Sequence, residues 1–300
     1  MTDKAKAMVM ASFLGDSLAL GAHWIYDIRA IKEKFGRVES LLKPSSNSFH
    51  PTKDKGEFTH YGDQALVLLQ SVSSRREFDL QDFFQRWQRL FAHYDGYVDE
   101  ATRMTLSNIH SGKGAEASGS PSNDLAGASR IAPIVYAYRT DPEKLIEAAK
   151  AQTRMTHRDL HTIESASFFG TVAFHILEGV APIQAIKRVV DERFRDTRIA
   201  GWVRQGLDSK NEDSVEAITR FGQTCHTPDA FPGIIHLVSK YENDLKEALV
   251  QSVMAGGDSA ARGMMTGMVL GAWLGQENLP QDWHSELKKR DEILSLMKEF

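Results

Sequence analysis

The sequence predicts an all-α fold in a single domain spanning residues 1–300. Apolar residues recur three and four apart along most of the chain, the spacing of amphipathic helices. Alternating strand patterns bounded by turn dipeptides are scarce. No linker-like stretch or internal repeat divides the chain, and 42 % hydrophobic with 25 % charged residues over 300 positions suffices for one large core.

From the N-terminus, FLGDSLALGAHWIYD (13–27) reads as a helix N-terminus in which Gly15 permits close packing and Asp16 caps or takes a buried hydrogen bond. His23, Trp24, Tyr26 and Asp27 follow within one or two turns. KPSSNSFHPTKDKGEFTHYG (43–62) is a loop by its Gly, Ser, Pro and Asn content. HYGDQALVLLQSV (60–72) then sets Asp63 in the first turn of an apolar run, where a helix favours an acid. HSGKGAEASGSPSNDLAG (110–127) is a second long loop, and loops of this length in a compact helical domain are functional or mobile. It leads into DLAGASRIAPIVYA (124–137), whose small residues expose backbone N–H groups able to hold a phosphate or diphosphate.

Helical periodicity continues through 143–155, 164–194, 214–223, 229–255 and 283–300. Between the first two, RMTHRDLH places His157 and His161 at i, i+4, a spacing compatible with metal binding. No glutamate lies between them in an H-E-x-x-H pattern, so a zinc peptidase is disfavoured and a hydrogen-bonding His157 is expected. VMAGGDSAARGMMTGMVLGAW (253–273) carries one carboxylate, Asp258, behind Gly256 and Gly257 and ahead of a small, apolar run.

A net charge of −4 with a sequence pI near 6.3 offers no basic field for a polyanion, which argues against nucleic acid as principal partner. The single cysteine, Cys225, rules out an internal disulfide framework and fits a reducing, cytoplasmic setting. The N-terminal apolar run is broken by Gly15 and Asp16 and shows no export pattern. No stretch approaches the roughly 20 apolar residues of a membrane span.

Taken in order, Gly-Asp with Leu-Gly, the Asp63 helix start, GASRIAP, MTH, GGDSAARG…GMVLGAW and LPQDW resemble the ADP-ribosylglycohydrolase family from about Ala7 to Trp283. HWIYD and GEFTHYGDQALVLL are most similar to its J1-crystallin-like branch. The resemblance implies an orthogonal all-α domain with a cleft that holds two magnesium ions and an ADP-ribose, cleaved at the bond to C1″. It also implies metal ligands from a Thr-Asp-Asp-Thr cluster early in the chain and a Gly-Gly-Asp-Thr-Asp-Thr cluster late in it. Here the first reads Tyr61-Gly62-Asp63-Gln64 and the second Gly256-Gly257-Asp258-Ser259-Ala260-Ala261, so Asp63 and Asp258 alone remain of the aspartates.

Two magnesium ions a few ångströms apart need several anionic oxygens. Asp63 and Asp258, helped by the neutral oxygens of Gln64 and Ser259, are expected to hold one weak ion or none, and Tyr61 is expected to fill part of the vacated space. The family's acidic residue after the first Gly-Asp motif aligns with Ile25, which leaves Asp27 as the nearest substitute.

Three readings follow. The first is a hydrolase of an ADP-ribosyl or related nucleotide-sugar linkage with reduced magnesium dependence, using Asp27, Asp63 and Asp258 on the reacting centre. Asp16, Asn123, Asp124, Gly127, Ser129 and His157 are then the expected substrate-binding residues. The second is an ADP-ribose-binding protein without hydrolysis, and the third a crystallin-like structural protein. Against the third, Asn123, Asp124, Arg130 and His157 have no use in a merely packed chain.

Overall fold

The structure, a computed structural model, describes residues 2–299. Helices form almost all of its regular structure: α1 (Thr2–Ala19), α2 (Ile28–Phe35), α3 (His60–Arg75), α4 (Leu80–Ala92), α5 (Glu100–His110), α6 (Ala126–Ser129), α7 (Ala132–Ala137), α8 (Pro142–Arg154) and α9 (Leu160–Leu177). Then come α10 (Pro182–Val189), a π turn (Val190–Phe194), α11 (Arg198–Asp208), α12 (Ser214–Phe221), α13 (Thr227–Lys240), α14 (Leu245–Met254), α15 (Ser259–Leu274), α16 (Gln281–Glu286) and α17 (Arg290–Leu296). Among the described residues no strand forms, and two isolated bridges, Ser120 with His157 and Asp124 with His226, are the extended pairings. No described helix is long and apolar enough to cross a membrane.

Aspartate begins a large share of these helices. Asp27, Asp79, Asp99, Asp141, Asp159, Asp213, Asp244 and Asp258 each accept a backbone N–H of the helix that follows. Such a cap satisfies a donor that the first turn leaves without an intrahelical partner and is worth about 1 kcal/mol.

The centre of the molecule is the pairing of α1 with α15. Both helices are buried almost all round, and their crossing is too close for side chains. A Cβ on Gly15 would stand 2.3 Å from Gly263 O, and one on Gly267 would stand 2.2 Å from Ala11 O. The small residues after Asp258 therefore let two backbones touch. A continuous apolar core spreads from this pair, reaching from Ala5 to Met297.

The expected helices form with three differences. Asp16 lies in the last turns of α1 rather than at a helix start, and the N-terminus it caps is that of α3. The 164–194, 229–255 and 283–300 stretches each divide, at Glu178–Ala181, Tyr241–Asp244 and Leu287–Lys289. His157 precedes α9 in the isolated bridge with Ser120, so it shares no helical face with His161, whose Nδ1 sits 3.8 Å from Glu164.

Candidate active site

Asp258 reaches its place through the two glycines before it. Gly256 and Gly257 both adopt left-handed backbone, φ +70° and +65°, and a Cβ on Gly257 would stand 2.1 Å from Gln223 O. Only glycine makes this double turn without strain. Its backbone pairs with the segment after α1, Trp24 N–H donating to Gly257 O at 2.9 Å and Gly257 N–H to Ile25 O at 2.8 Å. His23 is thereby set against the start of α15.

The carboxylate of Asp258, fully buried, receives three donors. His23 Nε2 lies 3.2 Å and Ala261 N–H 3.2 Å from Oδ1, and the Tyr61 hydroxyl donates to Oδ2 at 3.0 Å. Burial pushes this carboxyl up, but the hydrogen bonds from His23, Ala261 N–H and Tyr61 outweigh it and hold it below the usual range. The Tyr61 hydroxyl is thus aimed at Asp258.

Asp124 stands beside it. The loop before α6 is held by Leu125 N–H to Cys225 O and Thr227 N–H to Asn123 O, both 2.8 Å, so residues a hundred positions apart arrive together. Ligand atoms of Asp124, Cys225 and Asp258 lie within 4.8 Å of one another. Burial first, then the charges of Asp258 and Asp99, drive the Asp124 carboxyl well above its ordinary value. Burial, then the charges of Asp124 and Asp258, push the Cys225 thiol up as well. The two neighbouring carboxyls are thus shifted in opposite directions, Asp124 up and Asp258 down.

A second set of polar groups lies around Tyr61. His60 Nε2 is 3.1 Å from Asp99 Oδ2, and Asp99 caps α5. Arg130, buried and lowered to about 10 by burial, donates to Gln64, Gln152 and Thr156. The Thr156 hydroxyl, accepting from Arg130, lies 2.8 Å from His157 Nδ1. His157 Nε2 is buried and without a partner. Burial and the Arg130 charge lower His157 to about 3, so the ring is neutral.

The other expected residues are placed elsewhere. Asp27, with a side chain 58 % exposed, caps α2 on the surface and pairs loosely with Arg29, away from the buried acids. Asp63 turns to Lys53 Nζ at 2.5 Å and the Tyr94 hydroxyl at 2.6 Å, so its charge is neutralised without a metal ion. Asp16 accepts from Thr59 N–H at 2.8 Å, Thr59 Oγ1 at 2.5 Å and Gly62 N–H at 3.2 Å, a buried brace between α1 and α3. Ser129 donates back to Ala126 O within its own turn, and Asn123 contributes its backbone carbonyl to Thr227. Gly127 abuts the His157 ring, where a Cβ would stand 2.6 Å from it, so it sets the histidine's distance.

Residues 1–300 match the sequence model of the ADP-ribosylglycohydrolase family. The chain belongs to that family. Crystallin J1A of Tripedalia cystophora is 25 % identical over 310 residues, covering 97 % of this chain and 94 % of that protein. An ADP-ribosylhydrolase of Mus musculus is 22 % identical, covering 96 % and 88 %. The ADP-ribosyl-dinitrogen-reductase glycohydrolase of Rhodospirillum rubrum is 22 % identical over 79 % and 76 %. A solved ADP-ribosylglycohydrolase-related protein complex has the same fold, with TM-score 0.77, 21 % identity and coverage of 99 % and 96 %.

The family's magnesium pair does not fit these residues. Lys53 occupies Asp63, three donors occupy Asp258, Ala260 and Ala261 offer no oxygen, and an aspartate at Gly62 would collide with Asp16, 2.4 Å from the added Cβ. Hydrogen-bond donors stand where cations are expected. Asp124, Cys225 and Asp258 are near enough to share one ion, but a thiol donor suits a borderline metal better than magnesium. Asp258 therefore has Asp124 rather than Asp63 as its companion.

His50, His60, Asp99, Lys53 and Cys225 were not singled out as site residues by the sequence pattern. The available signals were slight: a histidine beside Pro51 in the 43–62 loop, and an acid at a helix start.

Proposed function

We propose that this protein hydrolyses a glycosidic bond to ADP-ribose with a buried carboxyl pair in place of the family's magnesium pair. The observation that carries the reading is the Asp124–Asp258 pair, two neighbouring acids whose surroundings drive their protonation in opposite directions. Splitting a carboxyl pair in this way is how glycosidases obtain an acid and an anion at one pH.

Asp124 carries the proton and gives it to the leaving atom as the bond to C1″ breaks. Asp258 stays ionised and faces the positive charge that develops on the ribose, its position fixed by His23, Tyr61 and Ala261. The unpartnered His157 Nε2 meets a phosphate or ribose oxygen. Gly127 keeps that histidine in place, and Asp16 and Asp63 brace α3, on which Tyr61 rides.

ADP-ribose release from an ADP-ribosyl-arginine peptide, in the presence of chelator, tests the reading. Wild type should release it, and Asp124→Asn should lower the rate about 10²- to 10⁴-fold, the usual contribution of a general acid. Activity that disappears with chelator, or survives in Asp124→Asn, overturns the assignment.

The enclosure of Asp258 favours two alternatives, a protein that binds ADP-ribose without hydrolysis and one that merely packs. No turnover, with ADP-ribose raising stability by about 2.7 kcal/mol at a hundredfold excess over Kd, identifies a binder, and no shift identifies the structural role.

A further inference from the structure

We propose that Asp124, Cys225 and Asp258 form a binding site for one thiophilic divalent cation of the zinc class, and that an ion bound there stops the hydrolysis. The site stands on its own geometry. The stop rests on the hydrolase reading, because it works through the two carboxyls to which that reading gives the chemistry.

The three side chains come from three remote segments, and main-chain hydrogen bonds tie those segments together. Cys225 sits on the middle one. On one side Leu125 N–H donates to Cys225 O and Thr227 N–H to Asn123 O, and on the other Asp258 N–H donates to Gln223 O, all at 2.8 Å. One ligand atom from each residue lies within 4.8 Å of the other two. Among the described residues this is the one group of three histidine, cysteine or carboxylate side chains that converges so closely, although the chain holds 11 histidines and 40 acids. A tetrahedral ion with bonds of about 2.3 Å to sulfur and about 2.0–2.2 Å to oxygen holds its ligand atoms roughly 3.3–3.6 Å apart, so the trio has at most about 1.5 Å to close.

The donor set names the class of ion. A thiolate is a soft ligand that selects zinc and its congeners, whereas magnesium and calcium take oxygen ligands. Three protein ligands leave a fourth position for water, the arrangement of an open zinc site. Both carboxylates keep a lone pair for the ion. Asp124 Oδ1 accepts Ala126 N–H at 2.9 Å, and Asp258 uses three of its about four acceptor sites on His23, Ala261 and Tyr61. Those same hydrogen bonds orient the ligands, as the partners behind metal ligands do. Cys225 is the partly exposed member of the trio, so the ion reaches the buried acids from its side.

Binding exchanges protons for the ion. The thiol loses its proton, and Asp124 loses the one it holds under the hydrolase reading; both pass to solvent, and no electron changes hands. An ion in this place removes both catalytic properties at once. Asp124 has no proton left for the leaving atom, and the ion offsets the Asp258 charge that would otherwise face the ribose.

The test uses the full chain, stripped of metal by chelator and dialysed. One equivalent of Cd²⁺, a spectroscopically visible stand-in for zinc, should add a thiolate-to-metal absorption band in the ultraviolet, and excess Zn²⁺ should remove it. Calorimetry should give one Zn²⁺ per chain, undisturbed by millimolar magnesium. Cys225→Ser should lack the band and bind Zn²⁺ more than about 100-fold less tightly, because even a hydrogen-bonding partner behind a ligand is worth about 10–100-fold. Its melting temperature should stay near wild type. With saturating Zn²⁺, wild-type release of ADP-ribose from an ADP-ribosyl-arginine peptide should fall by about 10²-fold or more, the share of a general acid, and return when chelator is added. The same Zn²⁺ should leave the turnover of Cys225→Ser unchanged.

No thiolate band in wild type, or equal zinc affinity in Cys225→Ser, overturns the site; the wild-type band decides even where a variant fails to fold. Wild-type turnover that zinc leaves unchanged or raises overturns the stop and leaves the site standing. Metal-free wild type without turnover overturns the hydrolase reading, while the band and the stoichiometry still decide the site.

Discussion

Replacing Asp16 by asparagine should change how stability depends on pH, and the size of the change follows from its burial. Asp16 is fully enclosed between α1 and the start of α3. Burial raises its carboxyl to about 7 from 3.8, opposed by the hydrogen bonds from Thr59. A carboxyl raised on folding favours the protonated form, so its stabilising contribution is complete below about pH 4. It is lost as pH climbs toward 7 and constant above that. About three pKa units at 1.36 kcal/mol each give a swing of about 4 kcal/mol.

Asp16→Asn cannot titrate, and its amide NH2 would oppose one of the Thr59 donors at a pH-independent cost of about 1–3 kcal/mol. Urea unfolding of both proteins at half-unit steps from pH 4 to pH 8 isolates the effect, because Asp63 and Asp124 titrate in both. The variant should be the less stable protein at pH 4, and the difference should move in its favour by about 4 kcal/mol by pH 8. A difference constant to within about 0.5 kcal/mol over that range would mean that the three donors keep Asp16 ionised throughout, and the argument from burial would fail.

Three further outcomes are expected. Lys53→Met should destabilise by about 3 kcal/mol by leaving Asp63 without its cation, and millimolar magnesium should recover part of it in thermal melts; an equal magnesium effect on wild type would contradict the placement of Lys53 as the cation's substitute. Tyr61→Phe should cost about 1.5–3 kcal/mol in urea unfolding by removing a hydrogen bond to a charged acceptor, and a neutral result would show that Asp258 does not depend on that hydroxyl. Gly267→Ala should destabilise by about 1–3 kcal/mol because α1 leaves no room for a methyl group, whereas Gly201→Ala, in open space on α11, should stabilise by about 0.5–1 kcal/mol; equal signs in calorimetry would refute the close crossing.

Helices, their approximate extents and the family were legible in the sequence, because each depends on local spacing: apolar residues three and four apart, aspartate before a helix, and short motifs in order. The double glycine before Asp258 was legible in the same way. Which acid would accompany Asp258 was not. Sequence order suggested Asp63, but Lys53, ten residues earlier in the 43–62 loop, folds back and takes that carboxylate. Asp124 gains the place instead, because the loop before α6 pairs with residues 225–227, a contact no local pattern announces. The line from Asp258 through His23 to His50 joins positions 235 and 27 residues apart. Composition sets how many acids and histidines the chain contains, and periodicity sets where its helices run. Their protonation and pairing depend on burial and on distances of a few ångströms between segments remote in sequence, and only the packed chain brings those about.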